Sequence, residues 1–199
     1  MAAINYTLKE IGCKIVYYGP GLGGKTTNLK KIHDLVAADQ KGNLISLATP
    51  GERTLFFDFL PIDAPRVHGF TTKFQLYTVP GQQNYNATRR LVLRGVDGVV
   101  FVCDSQWDKL PETVQSFRNL QENLATYGTS LAQVPFVIQF NKRDLDEVAP
   151  TEYLQFLLNE YGVPSFETVA VEGDGVLDTL NCISERVLAN LRHKHGRTE

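Results

Sequence analysis

The chain has 199 residues, of which 43% are hydrophobic, and its 22 acidic and 20 basic residues leave a formal net charge of −2. This length fits one domain with a packed core, since compact domains usually have about 100–200 residues. The nearly balanced charge argues against nucleic acid as the main partner, because binding to a polyanion needs a concentrated basic surface.

The residue pattern also bears on compartment and membrane association. The three cysteines are odd in number and lie in or beside apolar stretches, which is typical of reduced thiols in a cytoplasmic protein. No stretch has the roughly 18–20 apolar residues of a membrane span. The first residues contain neither a signal peptide nor the glycine that myristoylation requires, and the last contain no cysteine for prenylation. We therefore expect a cytoplasmic protein without a lipid anchor.

Short apolar runs alternate with helical patterns along the chain. Strands are predicted at residues 13–18, 55–60, 71–79, 98–104, 135–140 and 166–171. Helices are predicted after residue 26, at 114–127, at 151–161 and at 177–191, because apolar side chains recur there every three or four residues. The segment 37–54 contains Gly42, Pro50 and Gly51 and is expected to be irregular.

The alternation predicts a single α/β domain over residues 1–199, with a mostly parallel sheet covered by helices on both faces. The segment between the second and third strands contains Pro61 and Pro65, so these two strands can form an antiparallel pair. Ligands of such sheets bind beyond the carboxyl ends of the strands. The loops that directly follow the strands are therefore the candidate site.

The loop after the first strand is rich in glycine. Residues 19–26, GPGLGGKT, fit the pattern G-x-x-x-x-G-K-[ST] between a predicted strand and a predicted helix, as that pattern requires. Glycines let the backbone wrap closely around phosphate groups, and the helix N-terminus directs N–H groups at the anion. Lys25 adds a positive charge for the β- and γ-phosphates, and the Thr26 hydroxyl can ligate Mg²⁺. The candidate phosphate-binding residues are Gly19, Gly21, Leu22, Gly23, Gly24, Lys25, Thr26 and Thr27.

The sequence NKRD at residues 141–144 directly follows the strand at 135–140. Guanine presents an N1–H and an amino group side by side, and the Asp144 carboxylate can accept a hydrogen bond from each. Adenine would leave that carboxylate without donors, which is costly in a dry site. Asn141 would tie this loop to the phosphate loop, and the stem of Lys142 would cover the base. The pattern favours a guanine-nucleotide site over a solvated turn.

Two further loops resemble elements of the Ras-like superfamily. The sequence VPGQ at residues 79–82 resembles the element D-x-x-G-Q. The resemblance implies that the Gly81 N–H binds the γ-phosphate and that Gln82 orients the attacking water. The sequence ETVA that ends at Ala170 resembles the element ETSA, in which a backbone N–H meets guanine O6, although Val169 replaces the usual serine. Ala170 is the candidate for that contact.

The aspartate of the Ras-like element, which holds Mg²⁺ through its water shell, is replaced by Thr78. Threonine can accept a hydrogen bond but brings no charge, so Mg²⁺ is expected to bind more weakly unless another acid compensates. Asp58 and Asp104 both lie at or near strand ends and are the two candidates.

A second switch segment is expected between the first helix and the second strand. It needs a threonine that ligates Mg²⁺ when GTP is bound; Thr54 stands at the start of the strand, and Thr49 is the alternative. Arg53 precedes Thr54, in the loop where α subunits of heterotrimeric G proteins carry a catalytic arginine. An exposed loop cation is the other interpretation of Arg53. The candidate catalytic residues are Gln82, Arg53 and Lys25, and the candidate metal ligands are Thr26 and Thr54.

The combination of GPGLGGKTT, TVPGQQ and NKRD resembles the MglA family of bacterial Ras-like GTPases over almost the whole chain. The resemblance implies a P-loop G domain with a six-stranded sheet, bound GTP or GDP with Mg²⁺, and roles in cell polarity and gliding motility. It also implies a GTPase-activating partner of the MglB type, a Roadblock-fold homodimer, together with downstream effectors. The run FVCDS and the second threonine after Lys25 are similar to the Arf group as well.

Two rival functions are considered. A P-loop ATPase or nucleotide kinase is disfavoured by Asp144 and by the lack of a lid segment with several arginines. A GTP-loaded interaction module with little hydrolysis stays open because of Thr78. Single-turnover hydrolysis, measured with and without an activating partner, separates that module from a working GTPase.

Overall fold

The computed structural model describes residues 3–47, 57–67, 69–82 and 85–195, which form one eight-stranded sheet with helices on both faces. The strands are β1 (Ala3–Asn5), β2 (Glu10–Tyr18), β3 (Ile45–Leu47), β4 (Phe57–Val67), β5 (Phe70–Thr78), β6 (Gly98–Asp104), β7 (Phe136–Asn141) and β8 (Ser165–Thr168). The helices are α1 (Lys25–Leu35), α2 (Asn86–Leu93), α3 (Leu110–Ala125), α4 (Thr151–Leu158) and α5 (Val176–His195).

The sheet order is β3-β4-β5-β2-β6-β7-β8, with β1 paired to β2 outside this path. Strands β5, β2, β6, β7 and β8 are mutually parallel, whereas β1 is antiparallel to β2 and β4 is antiparallel to β3 and β5. Because the parallel strands end at the same edge, the loops after β2, β5, β7 and β8 are brought together there.

Two hydrophobic clusters hold the layers together, one on each face of the sheet. Leucine, isoleucine and valine side chains of α1 and α5 pack on one face, and those of α2, α3 and α4 pack on the other. Every residue of β6 and of β7 is buried. This explains the continuous apolar runs at these positions, since strands covered on both faces do not alternate.

The predicted α/β fold and the antiparallel pairing of the second and third predicted strands are confirmed. The strand count differs from the predicted six, because the sheet gains the three-residue strands β1 and β3. The prediction of a linker after residue 60 was wrong, since β4 continues to Val67.

Pro61 is tolerated inside β4 because β3 pairs only with residues 57–59, so no β3 carbonyl lies opposite the missing N–H of Pro61. The carbonyl of Pro61 accepts from Gly42 N at 2.9 Å.

No helix among the described residues is long and apolar enough to cross a membrane. The three cysteines are free thiols, with Cys13 and Cys103 buried and Cys182 partly exposed.

Candidate nucleotide-binding site

The phosphate loop runs from the end of β2 into α1. Gly24 precedes the first residue of α1 with φ +103°, and a Cβ built on it would lie 2.1 Å from Asn141 Nδ2. Only glycine avoids this clash. Leu22 also has positive φ, 60°, and its side chain is 91% exposed at the rim of the loop. Because no described side chain caps α1, the first N–H groups of the helix are available to an anion.

Lys25 is buried and lies under the phosphate loop. Its ammonium donates to Gly19 O at 3.0 Å and to Pro20 O at 2.6 Å. Burial, with a smaller contribution from Arg89, lowers the pKa of Lys25 from 10.5 to about 7, and Asp58 opposes that shift. The positive charge of this lysine is therefore costly in the protein alone and would be stabilised by a polyanion.

The acid beside the phosphate loop is Asp58 of β4. Its Oδ2 accepts from Thr26 Oγ1 at 2.6 Å and from Thr78 Oγ1 at 2.8 Å, and its Oδ1 accepts from Ser46 Oγ at 2.6 Å. The backbone N–H of Asp58 donates to Thr78 Oγ1 at 2.9 Å. Of the two candidate acids, Asp58 is therefore the one that faces the predicted metal ligand Thr26.

Asp104, the other candidate, lies on the base side of the site. It is 1% exposed, and its Oδ2 accepts from Lys142 Nζ at 2.5 Å. Gln106 also accepts from this ammonium, at 3.2 Å. The pairing holds the stem of Lys142 along the base side of the cavity, and it accounts for the buried charge of Asp104.

Oxygen atoms of Thr26 and Asp58 suit Mg²⁺, which prefers hard oxygen ligands and keeps several waters. Among the described residues, no group of three or more acidic, histidine or cysteine side chains could hold an ion. A metal here would thus share its coordination between these two residues, phosphate oxygens and water. The adjoining cavity has a volume of about 550 Å³ and is also lined by Thr27, Thr78 and Gly81.

The base side of the site is a cavity of about 280 Å³, lined by Leu22, Gly24, Thr27, Asn141, Lys142, Asp144, Leu145, Ala170 and Val171. Within the described part of the chain, the Asp144 carboxylate is exposed and has no hydrogen-bond partner or ion pair. It is therefore available to two neighbouring donors on a bound base.

Asn141 joins the base loops to the phosphate loop. Its Nδ2 donates to Gly23 O at 2.9 Å, and its Oδ1 accepts from Ala170 N at 3.0 Å and from Thr168 Oγ1 at 3.1 Å. The N–H of Ala170, which the Ras-like resemblance assigns to guanine O6, is thus bonded to Asn141 here. The guanine contact of Ala170 stays a prediction.

Gly81 packs directly against the phosphate loop. A Cβ built on Gly81 would lie 2.4 Å from Gly21 Cα, whereas one on Gly21 would meet only Gly81 backbone atoms at 3.8 Å. The next residue, Gln82, is exposed, and its carbonyl accepts from Arg89 Nη1 at 2.5 Å. The sequence interpretation overlooked Arg89, which lies in a helix that it did not predict.

Arg53, Thr54 and Thr49 lie outside the described residues. The catalytic role of the first and the metal-ligating role of the threonines rest on the sequence alone. Of the other candidate residues, one cavity is lined by Leu22, Gly24, Lys25, Thr26, Thr27, Thr78 and Gly81, and its neighbour by Asn141, Lys142, Asp144 and Ala170. Gln82 lines neither cavity and lies with Gly21 and Gly81 at a third one.

Comparisons with known proteins agree with this arrangement. The model of the ADP-ribosylation factor family matches residues 2–187. The mutual gliding-motility protein MglA of Myxococcus xanthus (strain DK1622) is 52% identical over 96% of this chain and 98% of its own. The Ras-related protein RABE1e of Arabidopsis thaliana is 26% identical over 73% of this chain and 66% of its own. The Ypt/Rab-type GTPase ypt7 of Schizosaccharomyces pombe is 30% identical over 59% and 58%, respectively.

Proposed function

The chain belongs to the ADP-ribosylation factor family of GTP-binding and GTP-hydrolysing switches, and we propose that it works with Mg²⁺ to control cell polarity or gliding motility. In this proposal its GTP-bound form acts in the cytoplasm by binding downstream effectors. The motility role is supported by 52% identity to a protein named for gliding motility.

The observation that carries the nucleotide specificity is the Asp144 carboxylate in the base cavity. It has no partner in the described part of the chain, and Asn141 joins its loop to the phosphate loop through Gly23 O at 2.9 Å. A guanine that pairs with Asp144 would therefore have its phosphates directed along the start of α1. An adenine would leave the carboxylate without donors.

The phosphate groups would be held by the backbone N–H groups of residues 21–26 and by the ammonium of Lys25. Binding would move that ammonium from the carbonyls of Gly19 and Pro20 toward the β- and γ-phosphates. The buried lysine gains an opposite charge in this step, which offsets the cost of its burial.

Thr26 and Asp58 are the described residues that would hold Mg²⁺, with Thr54 added from the sequence. A bound Mg²⁺ neutralises charge on the phosphate oxygens. Asp58 takes the place of the aspartate missing at Thr78, since it supplies the carboxylate 2.6 Å from the Thr26 hydroxyl. The alternative of a GTP-loaded module with little hydrolysis thereby loses the feature that supported it.

Hydrolysis would require Gln82 to orient a water in line with the γ-phosphate, and a cation to stabilise the charge that develops there. Gly81 brings Gln82 to the phosphate loop, because it packs against Gly21 with no room for a side chain. Arg53 would supply the cation from the same chain.

The activating partner we propose is a Roadblock-fold homodimer of the MglB type. Its support is the family resemblance and the MglA relative. Because Arg53 and Gln82 belong to this chain, such a partner can act by ordering the two segments, at a cost of about 1–2 kcal/mol for each residue it fixes.

The deciding experiment is single-turnover hydrolysis of GTP, ATP and XTP with and without that partner, in Mg²⁺ and in excess EDTA. Of the three nucleotides, we expect only GTP to be hydrolysed. In Mg²⁺ its hydrolysis should be slow without the partner and faster with it, and in excess EDTA it should not occur. Turnover of ATP at a similar rate would contradict the guanine assignment, and no GTP turnover with any candidate partner would favour the interaction module.

A further inference from the structure

We propose that Asn119 of α3 is a positioning residue for GTP hydrolysis, which acts by holding Arg89 and, through Arg89, the backbone around Gln82. The inference rests on the proposed GTPase function. It assigns a catalytic consequence to a partly buried polar network that lies between α2, α3 and the end of β2, away from the nucleotide cavity.

Arg89 binds the backbone on both sides of Gly81. Its Nη1 donates to Gln82 O at 2.5 Å and to Pro80 O at 3.4 Å, so one guanidinium nitrogen contacts carbonyls on both sides of Gly81. The residue is only 7% exposed. A planar guanidinium in a fixed position determines the direction of the carbonyls that it binds. The peptide planes beside Gly81 therefore depend on where Arg89 is held.

Asn119 holds the other side of the guanidinium. Its Oδ1 accepts from Arg89 Nε at 2.9 Å, from the Tyr18 hydroxyl at 2.7 Å and from Asn123 Nδ2 at 3.0 Å. Its Nδ2 donates to Asn86 Oδ1 at 3.1 Å. One amide thus joins α3 to two points of α2 and to the last residue of β2.

The network also includes the residue that precedes the phosphate loop. The Tyr18 hydroxyl is fully buried, donates to Asn119 and accepts from Asn123 Nδ2 at 3.0 Å. Asn123, itself 2% exposed, donates to Asn86 Oδ1 at 2.8 Å. Because the Tyr18 hydroxyl also accepts from Asn123, the strand end that precedes the phosphate loop keeps a hydrogen bond when Asn119 is replaced.

The position of Gln82 in this arrangement should affect the rate of hydrolysis. The water-orienting side chain must be placed to within fractions of an ångström, and a displacement of about 1 Å can cost roughly 100-fold in rate. Leucine at position 119 would keep apolar packing of α3 but would leave Arg89 Nε and the Tyr18 hydroxyl without this acceptor. The polar network instead fixes a direction, which burial of apolar surface does not.

Asn119→Leu and Asn119→Asp are the paired test variants. Leucine is branched at Cγ like asparagine, although it is larger, and removes both hydrogen-bonding functions, whereas aspartate keeps the oxygen that accepts from Arg89 and loses only the donor to Asn86. We expect single-turnover hydrolysis with the activating partner to fall ~10–100-fold in Asn119→Leu and by only about threefold in Asn119→Asp. The dissociation constants for GTP and GDP should change by less than about twofold in both.

A merely structural role would give a different pattern. Leucine and aspartate would then alter nucleotide affinity and hydrolysis together, and aspartate, with a charge in a partly buried network, would be the more harmful change. Arg118→Ala, an exposed neighbour on α3, is the matched control and should hydrolyse GTP at the unmodified rate.

A double-mutant cycle tests the route through Arg89. If Asn119 acts through Arg89, then Arg89→Gln combined with Asn119→Leu should hydrolyse GTP no more slowly than Arg89→Gln alone. Independent, additive losses would overturn the proposal. If Asn119→Leu does not fold, Asn119→Ser and Arg89→Lys provide the same comparison, with a loss of hydrolysis at unchanged nucleotide affinity expected for each.

Failure of this inference is distinguishable from failure of the proposed function. Unmodified protein that hydrolyses no GTP with its partner would refute the proposed function. If the unmodified protein hydrolyses GTP with its partner and the Asn119→Leu variant is equally active, only the positioning role is refuted.

Discussion

The Asp58 carboxylate and the Thr78 hydroxyl are hydrogen-bonded to each other at 2.8 Å, across neighbouring antiparallel strands. The position where the Ras-like element carries its acid is therefore occupied by a hydroxyl that orients an acid from the next strand. The negative charge is retained beside Thr26, but it reaches this point from β4 instead of β5.

Exchanging the two residues tests this relationship. Asp58→Thr should weaken Mg²⁺-dependent retention of GDP by on the order of 10–100-fold, the usual cost of losing a residue that orients a metal site. The double variant Asp58→Thr with Thr78→Asp should recover most of that loss, because the carboxylate returns from the other strand. The measurement is the Mg²⁺ concentration at half-maximal release of a fluorescent GDP analogue.

Thr78→Asp alone is the informative control. With Asp58 present it places two carboxylates side by side, so we expect no tighter Mg²⁺ binding than in the unmodified protein. A clearly tighter site in this single variant would mean that Asp58 does not already serve the metal.

Base selection should depend on Asp144. In Asp144→Asn the affinity for GDP should fall at least about 100-fold, since two hydrogen bonds to a charged group contribute about 1.5–3 kcal/mol each. Affinity for XDP should rise, because the new amide can donate to the xanthine O2. Competition binding with GDP, XDP and ADP measures both changes, and unchanged GDP binding would show that the base lies elsewhere.

Gly21→Val should separate binding from hydrolysis. A Cβ at Gly21 meets protein atoms only at an ordinary 3.8 Å, so the fold and GTP affinity should be retained. The valine methyl groups would extend beside Gly81, where the γ-phosphate, Gln82 and the catalytic cation must meet. We expect partner-stimulated hydrolysis to fall by on the order of 100-fold or more, and near-normal turnover would contradict the placement of Gln82.

Nucleotide binding should take up a proton above neutral pH. In the free protein burial lowers the pKa of Lys25 to about 7, so the side chain is mostly neutral at pH 8.5. Bound phosphates favour the charged form and raise the pKa, and the proton comes from solvent. Calorimetry of GDP binding at pH 8.5 in buffers of different ionisation enthalpy should show uptake of up to about one proton.

The same shift predicts the sign of the pH dependence of the free fold. Between the lowered folded pKa and the unfolded value of 10.5 the unfolded chain holds the proton and the folded chain does not, so stability rises with pH through this window. Lys25→Arg, whose charge is permanent, is the control for both effects. Binding enthalpies that do not vary with buffer at pH 8.5 would show that Lys25 is already charged in the free protein.

The source of the catalytic cation is the remaining prediction. Arg53→Ala and Gln82→Ala should bind GTP and the activating partner normally but lose stimulated hydrolysis, by about 10³-fold or more for the arginine. Substituting arginines of the partner should have little effect. One partner arginine that proves indispensable, or full stimulated turnover in Arg53→Ala, would return Arg53 to an ordinary exposed cation.

The buried strands and the loops that follow them were predictable because their signals are local. An apolar run such as β6, a glycine-rich turn and NKRD each occupy fewer than about ten residues. The choice between Asp58 and Asp104 was not local. It depends on the register of β4 against β5, which pairs Phe59 with Tyr77 and so places Asp58 next to Thr78. One signal was present, since Asp58 shares the buried face of β4 with Leu60 and Ile62.

Helix α2 escaped prediction for a related reason. Its buried residues are Arg89, Val92 and Leu93, and Arg89 and the exposed Asn86 bond to Asn119 of α3, so buried apolar residues occur only at its C-terminal end. A helix whose partner is a polar network does not show the apolar period by which helices are recognised in sequence.

The three hydrogen bonds of the Asn141 side chain have a consequence for nucleotide release. They connect the phosphate loop at Gly23 with Thr168 and Ala170 of the base side. A movement of the base loops would therefore be passed by this amide to the loop around the phosphates. We expect a partner that displaces either loop to change the rate at which the nucleotide dissociates.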